Sequence, residues 1–531
     1  MKIPLAISIL LPVSVLAAQQ ATPNPPATAS IEGTLTDAVT GTQIRDMVVT
    51  AHGPGNPAPA RSSDKGAYRI AGLGTGAYHI LVSPDHGYIS ARRYIHVQSG
   101  QELTAIDLKL QKEAIIAGRV LGSDKNPVSG ARVTVRGLAY LRGRPMMGSQ
   151  SYDLTNDLGE YRISRLNPGA YYLEVDLRRI EIHKRKPLAG KETQERPPVM
   201  ANIRTYYPNA ISADGASLIT LRAGEVREGV DVTLLKEKTI CVTSAAVDPI
   251  ANDLQVPTIM LSETYAGSQS LIASGSIKSG DEFEICGVGP GLYRLSAYIP
   301  PPDGQDEGLR YASIAFSPGN REVNLPPLNL QPSFSLSGKV GVAGANPEDS
   351  LPTGIRFSLE PKDRILYRGE KASAQEDSNG TFTFPALTAD PYWLDVFTVP
   401  SGYYVKAATL GASDALSVPI QAASGARLEV VLGSDSSSVS GQVNDRENQP
   451  IADATVVLAA NPPRSARTDQ DGKFTLSGII PGDYRVAAFT GLQDGLAEDP
   501  NFIQAHFGKA TELTLSPGAS ISTNLTAQPV D

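Results

Sequence analysis

The chain has two cysteines, one tryptophan and six histidines in 531 residues, and aromatic side chains make up only 6% of it. No Gly-x-Ser-x-Gly pentapeptide occurs, so the strand-to-helix elbow that presents a hydrolase serine is missing. No His-Glu-x-x-His occurs either, and His52, His79, His86, His96, His183 and His506 lack the paired helical spacing that a catalytic zinc requires. Positive charge is not in excess: Lys and Arg number 47 against 55 Asp and Glu, a net charge of −8. A chain-wide field that could hold nucleic acid or an anionic membrane by counterion release is therefore excluded. Beyond the first residues, no apolar run approaches the 18 or so that a membrane-spanning helix needs.

What is present begins with an export signal. Lys2 supplies the positive start, Ile3 to Leu16 is apolar, and Ala17-Ala18 offer small residues for cleavage, so residues 1–18 are expected to be removed. No Cys lies near that point to carry a lipid anchor. Residues 19–29 are rich in Ala, Thr and Pro, a composition suited to an extended tether. The 49 Gly and 40 Pro are spread along the rest at turn positions, as many short strands would place them.

The dominant feature is a repeat. An aromatic residue is followed ten positions later by Tyr five times over: Tyr68 and Tyr78, Tyr161 and Tyr171, Phe283 and Tyr293, Phe382 and Tyr392, Phe474 and Tyr484. Around each pair a Gly-bearing turn, an alternating strand, a second turn and another strand recur, as from Asp471-Gly472-Lys473-Phe474 to Pro481-Gly482-Asp483-Tyr484. Fixed spacing within variable sequence marks one supersecondary unit copied along a chain. The units open alike, at Ile31-Glu32-Gly33, Ile116-Ala117-Gly118, Leu336-Ser337-Gly338 and Val439-Ser440-Gly441. They also close alike, with strict alternation in Ile106 to Leu110 and Val230 to Leu234. Period-two strands between Gly, Pro, Asn and Asp turns predict an all-β fold: a tandem array of about five small antiparallel β-sandwiches. Expected boundaries are 30–111, 112–236, 237–331, 332–433 and 434–531. Closings and openings nearly touch, which predicts a semi-rigid rod. The aromatic pairs are expected to be core packing between neighbouring strands.

The remaining motifs have structural readings. Gly72 to Gly76 and Gly287 to Gly291 resemble dinucleotide loops only superficially, because they run into strands and no amphipathic helix follows. At Asp471-Gly472 the carboxylate is expected to satisfy the backbone of a hairpin corner. Cys241 and Cys286 both fall in the third unit, where Cys241 stands near the place of the opening Gly. In an oxidising compartment they are expected to form a bridge that stabilises this unit by about 4 kcal/mol. The second unit carries an insertion crowded with Arg178, Arg179, His183, Lys184, Arg185, Lys186, Lys191 and Arg196, and Tyr206-Tyr207-Pro208 follow it. A solvated mobile loop is one reading. The sharper one is an anion-binding site for an acidic polysaccharide or a surface glycolipid, formed by Arg178, Arg179, Lys184, Arg185 and Lys186 with stacking area from Tyr206 and Tyr207.

The opening strand with Gly, the Asp-Gly-aromatic turn and the Pro-Gly-x-Tyr strand together resemble the carboxypeptidase regulatory-like domain, a transthyretin-like sandwich similar to starch-binding-like and Cna-B-like domains. The fifth unit carries the resemblance most fully, through Val439-Ser440-Gly441, Asp471 to Phe474 and Pro481 to Tyr484. The resemblance implies a non-catalytic module without metal or cofactor, since the zinc-binding His-x-x-Glu of the associated peptidase is absent. Arrays of this type resemble secreted proteins of soil bacteria. The expectation is a secreted or periplasmic spacer, adhesion or interaction scaffold with envelope proteins as partners, or alternatively a polysaccharide binder acting through loops at the sandwich ends. Fold alone does not choose between them.

Overall fold

A computed structural model describes residues 29–55, 57–141, 144–185, 199–250, 255–265, 268–301, 308–319, 321–344, 351–362, 372–492 and 495–530. The expected signal and nearly all of the tether lie outside these residues, and the first strand, Ala29–Asp37, already includes the last tether position. The described chain is built of short strands, with one α-helix, Pro500–His506. The all-β sandwich array expected from the sequence is what forms.

The first four repeats each build two sheets, and in the fifth Leu525–Pro529 pairs with both Ser437–Asn444 and Gly482–Thr490 and joins the two layers into one eight-stranded sheet. In the first, Ala29–Asp37 pairs antiparallel with Ala67–Leu73 on one side, and in parallel with Glu102–Leu103 and Leu108–Leu110 on the other. The facing sheet runs Ala60–Arg61, Val48–His52, Gly76–Val82, Ala91–Val97. Between them lie Ile31, Leu35, Tyr68, Ile70, Tyr78, Ile80 and Val82, all buried. The strand Gly76–Val82 shows why: alternate residues point to opposite faces, and those facing inward are the apolar ones. Four further clusters repeat this around the other aromatic pairs. Phe283 and Phe384 are fully buried, each contributing roughly 1.5–3 kcal/mol by leaving water.

The recurrent Gly and the first aromatic have one shared cause. Gly33, Gly118, Gly338 and Gly441 each pair across the sheet with Tyr68, Tyr161, Phe382 and Phe474. A Cβ on Gly118 would stand 2.0 Å from the Val230 carbonyl oxygen, and one on Gly441 would stand 1.8 Å from that of Thr523. The closing segment thus crosses directly over Gly33, Gly118 and Gly441, whereas at Gly338 the Phe382 ring takes the space of a side chain. The Tyr68 hydroxyl donates to the Ile106 carbonyl at 2.6 Å and the Tyr161 hydroxyl to Val230 at 2.5 Å. In the third unit the register pairs Ser244, not Cys241, with Phe283. Ser244 occupies the glycine's place, and its Oγ donates to the Pro326 carbonyl at 3.0 Å. Cys241 lies three residues earlier, directly opposite Cys286, and the two are bridged across the adjacent strands.

The second Tyr closes the turn before it. The Tyr171 hydroxyl donates to the Asn167 carbonyl and that of Tyr484 to Ile480, both at 2.8 Å, while the Tyr78 hydroxyl accepts from the Gly74 N–H at 2.8 Å. At the hairpin corner of the fifth unit, Asp469 rather than Asp471 satisfies the backbone, accepting from the N–H groups of Asp471 and Lys473 at 2.9 and 2.8 Å. Asp377 does the same in the fourth unit. Gly472 supplies the left-handed φ of +73° that ends this corner.

Two units depart from the plan. In the fourth, Tyr404–Leu410 pairs with Arg427–Gly433 of the first sheet instead of extending the second. In the fifth, a helical insertion between Gly482–Thr490 and Thr511–Leu515 covers the outer sheet face, burying Val457, Phe489, Phe502 and Phe507 in a second small core.

Candidate functional site at the junction of the second and third units

The strand Gly169–Asp176 turns Tyr171, Leu173 and Val175 into the second unit's core, so Glu174 and Asp176 fall on its outer face. Arg136, on the neighbouring strand Arg132–Leu141, grips Glu174 in a fork, Nε and Nη2 each 2.9 Å from a carboxylate oxygen. Just past the strand end, Arg178 folds back on Asp176 with Nη2 2.6 Å from Oδ2. Its Nη1 lies 2.7 Å from Oε2 of Glu263, which belongs to the third unit's strand Thr258–Tyr265. Arg204 completes the group, 3.5 Å from Glu174 and 3.3 Å from Glu263.

Three guanidinium groups and three carboxylates thus meet between two sandwiches, and the Arg178, Arg204 and Glu174 side chains are 5%, 5% and 4% exposed. Such a cluster stands the loss of water because its charges cancel and because hydrogen bonds join Arg136 to Glu174 and Arg178 to Asp176. Burial pushes the Asp176 carboxyl upward, yet the hydrogen bonds and charge of Arg178, with the charge of Arg204, overcome this and hold it below its usual range. Burial disfavours charge on Arg178 as well, but Asp176 and Glu263 outweigh it and fix the guanidinium as a cation. Burial and the nearby Glu263 charge push the Tyr293 phenol up, so it stays neutral.

From this cluster the insertion runs onto the third unit. Ile180 enters that unit's core. Ile182–Lys184 pairs antiparallel with Glu282–Val288, and the Arg185 N–H donates to the Glu282 carbonyl at 2.9 Å. On the return, Val199–Asn202 pairs antiparallel with Lys236–Val247, the neighbour of Glu282–Val288 in the same sheet. The sheet order places the two arm strands on opposite sides of the pair that carries Cys241 and Cys286. The described ends of the insertion are therefore an arm of the second unit wrapped around the third, not a free loop.

The residues expected to bind an anion are dispersed by this arrangement. Arg178 is buried in ion pairs, and Arg179 beside it is exposed. Lys184 reaches Asp281 at 2.6 Å and Arg185 reaches Glu282 at 3.5 Å. Tyr206 is buried opposite Glu174, and Tyr207 is half-buried against the second unit's core. Lys186, Lys191 and Arg196 lie outside the described residues. Sequence reading missed Arg136, Glu174, Asp176, Arg204 and Glu263. The available signal was charge at alternate positions of the otherwise apolar run Tyr171 to Asp176, which marks an outer sheet face that something must cover. Of the first unit's histidines, His52 and His79 stand opposite each other on neighbouring strands, and His79 packs edge-on against Tyr94 at 4.3 Å. Among the described residues no group of three or more His, Cys, Asp or Glu is placed to hold a metal ion.

No curated protein matches the sequence. Among solved structures, the chain is similar to the Bacillus anthracis TIE protein at 10% identity, covering 84% of this chain and 72% of that one, with a TM-score of 0.17. A streptococcal ancillary pilin is 11% identical over 54% of this chain and 99% of its own, with a TM-score of 0.18. BcpA, the major pilin subunit of Bacillus cereus, is 11% identical over 78% and 99%, with a TM-score of 0.15. In sequence, residues 30–111 and 438–524 match the carboxypeptidase regulatory-like domain family. Those stretches hold the first and the fifth of the aromatic–Tyr pairs, with Gly33 opposite Tyr68 and Gly441 opposite Phe474. The chain is therefore a tandem β-sandwich protein with a carboxypeptidase regulatory-like domain at residues 30–111 and another at 438–524.

Proposed function

We propose that this protein is an exported, non-catalytic interaction scaffold, in which five sandwich domains with boundaries at 30–111, 112–236, 237–331, 332–433 and 434–531 are held at fixed angles to present surfaces to other envelope proteins. The observation that carries the reading is the junction of the second and third units. There a neutral, buried six-charge cluster and strand pairing by the arm serve only to set one sandwich against the next. A flexible tether between units would need none of this. Secretion or periplasmic residence follows from the N-terminal signal and suits the bridge between Cys241 and Cys286.

The test is capture from envelope extracts by the full chain and by a double variant, Arg178→Met with Glu263→Gln, which loosens the junction while keeping each core. Partners retained by the first and lost by the second support a scaffold that acts through its geometry. Equal capture by both removes geometry from the account. Glycan arrays provide the contrasting arm: a signal abolished by Arg179→Ser, Lys184→Ser and Arg185→Ser together would return the arm to polysaccharide binding.

A further inference from the structure

The second and fifth units touch, although two whole units separate them in the sequence. The second unit's hairpin, Arg132–Leu141 with Arg144–Leu154, is ladder-paired from Arg132 opposite Leu154 out to Leu141 opposite Arg144. Only its base, from Arg132 to Gly137, is also paired with the next strand of the sandwich, so the rest projects beyond it. The projecting end meets the fifth unit's insertion. A Cβ on Gly495 would stand 2.9 Å from the Tyr140 carbonyl oxygen and 3.2 Å from its nitrogen, so the two backbones lie in contact at a residue without a side chain. The Tyr140 hydroxyl hydrogen-bonds the Asp499 carboxylate. Asp499 is 6% exposed and at the same time caps the helix Pro500–His506 by accepting from the Asn501 N–H at 2.9 Å. The contact is thus tied to the helix that seals the fifth unit's second core.

The intervening joints are also packed. Arg294, on the outer face of the third unit's sheet, faces Asp390 in a turn of the fourth at 3.9 Å, with both side chains largely buried. Between the fourth and fifth units the Ser436 N–H donates to the Gly402 carbonyl at 3.3 Å, and Gly478 lies against the Tyr403 carbonyl. We infer that units two to five close into a ring with the first unit outside it, and that the contact of the second unit's hairpin with the Gly495 to Asp499 segment is the latch. The short linkers that predict a semi-rigid rod are real, but the joints bend. The latch is weaker than the junction of the second and third units, because a phenol, one carboxylate and a backbone contact hold it where six charges and two strand pairings hold that junction. This inference is independent of the scaffold reading and stands or falls with the shape alone.

Small-angle scattering of the full chain distinguishes ring from line. A compact chain of this length has a radius of gyration of about 24 Å, whereas five such units in a straight row, each about 13 Å, reach about 50 Å. The ring predicts a value well below the row, and a value at the row overturns it. Hydrogen exchange then tests the latch: replacing residues 138–147 by Asn-Gly shortens the hairpin past its sandwich base. Exchange at 495–499 should rise tenfold or more while the other cores keep their protection, and unchanged exchange there overturns the latch. Should the shortened chain fail to fold, Tyr140→Phe with Asp499→Asn retains the helix cap and removes the hydrogen bond's charge and donor. Exchange at 495–499 should then rise about two- to tenfold, with no rise refuting the contact.

Discussion

Neutralising Glu263 should uncouple the second and third units at a cost set by burial. Its Oε2 stands 2.7 Å from the Arg178 guanidinium and 3.3 Å from that of Arg204, all within side chains 5–11% exposed. At an effective dielectric of 20, these separations correspond to about 6 and about 5 kcal/mol of gross attraction. Several kcal/mol per ion of desolvation oppose them, so the net loss on breaking the set is about 3–5 kcal/mol. For a block the size of units two and three together, that lowers the transition temperature by about 6–20 °C. The assay is calorimetry of Glu263→Gln, Arg178→Met and the double variant at two salt concentrations. Each single variant leaves an unpaired buried charge and the double variant does not. The two effects should therefore fall short of additivity by about 2–3 kcal/mol and barely respond to salt. Additivity within about 0.5 kcal/mol, or single losses under about 1 kcal/mol, would mean that the charges behave as an exposed pair and would refute the buried junction.

Replacing Cys241 and Cys286 together by Ser should lower the third unit's stability by about 4 kcal/mol, read from the urea midpoint, because the bridge closes a loop with a sequence separation of 45. Tyr161→Phe removes the hydroxyl that satisfies the buried Val230 carbonyl at 2.5 Å and should cost the second unit about 1–3 kcal/mol by the same measurement. Asp37 is held down to about 2 by the Thr40 N–H, against the opposing effect of burial, with help from the Val39 N–H and the Tyr88 hydroxyl. Its folded value lies below the unfolded value of about 3.9, so its contribution is present above about pH 4 and lost as pH falls toward 2. The stability gap between the parent chain and Asp37→Asn should therefore close over that window, and a gap that persists at pH 2 would contradict the assignment.

The repeat was legible because it is local. Tyr68 and Tyr78 announce a strand, a turn and a strand within eleven residues, and the alternation around them assigns the inner face before any tertiary contact is known. The opening Gly was visible as a position but not as a reason, since the carbonyl that crosses it, Val230 over Gly118, lies more than a hundred residues away. The same distance hid the equivalence of Ser244 with those glycines. Only the register against Phe283 identifies it, and the conspicuous Cys241 draws attention to the wrong residue. The basic run from Arg178 to Arg185 reads as solvated because sequence shows the cations and not their partners. Glu263, Asp281 and Glu282 come from the next unit. Junctions between units are non-local by construction, so composition along one segment cannot report them.

The central claim is that the arm of the second unit is part of the third unit's sheet, and hydrogen exchange resolved by residue tests it most directly. The account predicts that the paired amides within Ile182–Arg185 and Val199–Asn202 exchange as slowly as their partners in Glu282–Val288 and Lys236–Val247, and speed up together with them when Glu263 becomes Gln. Exchange of both arm segments at the rate of an unstructured chain, with the third unit's own strands still protected, would contradict it.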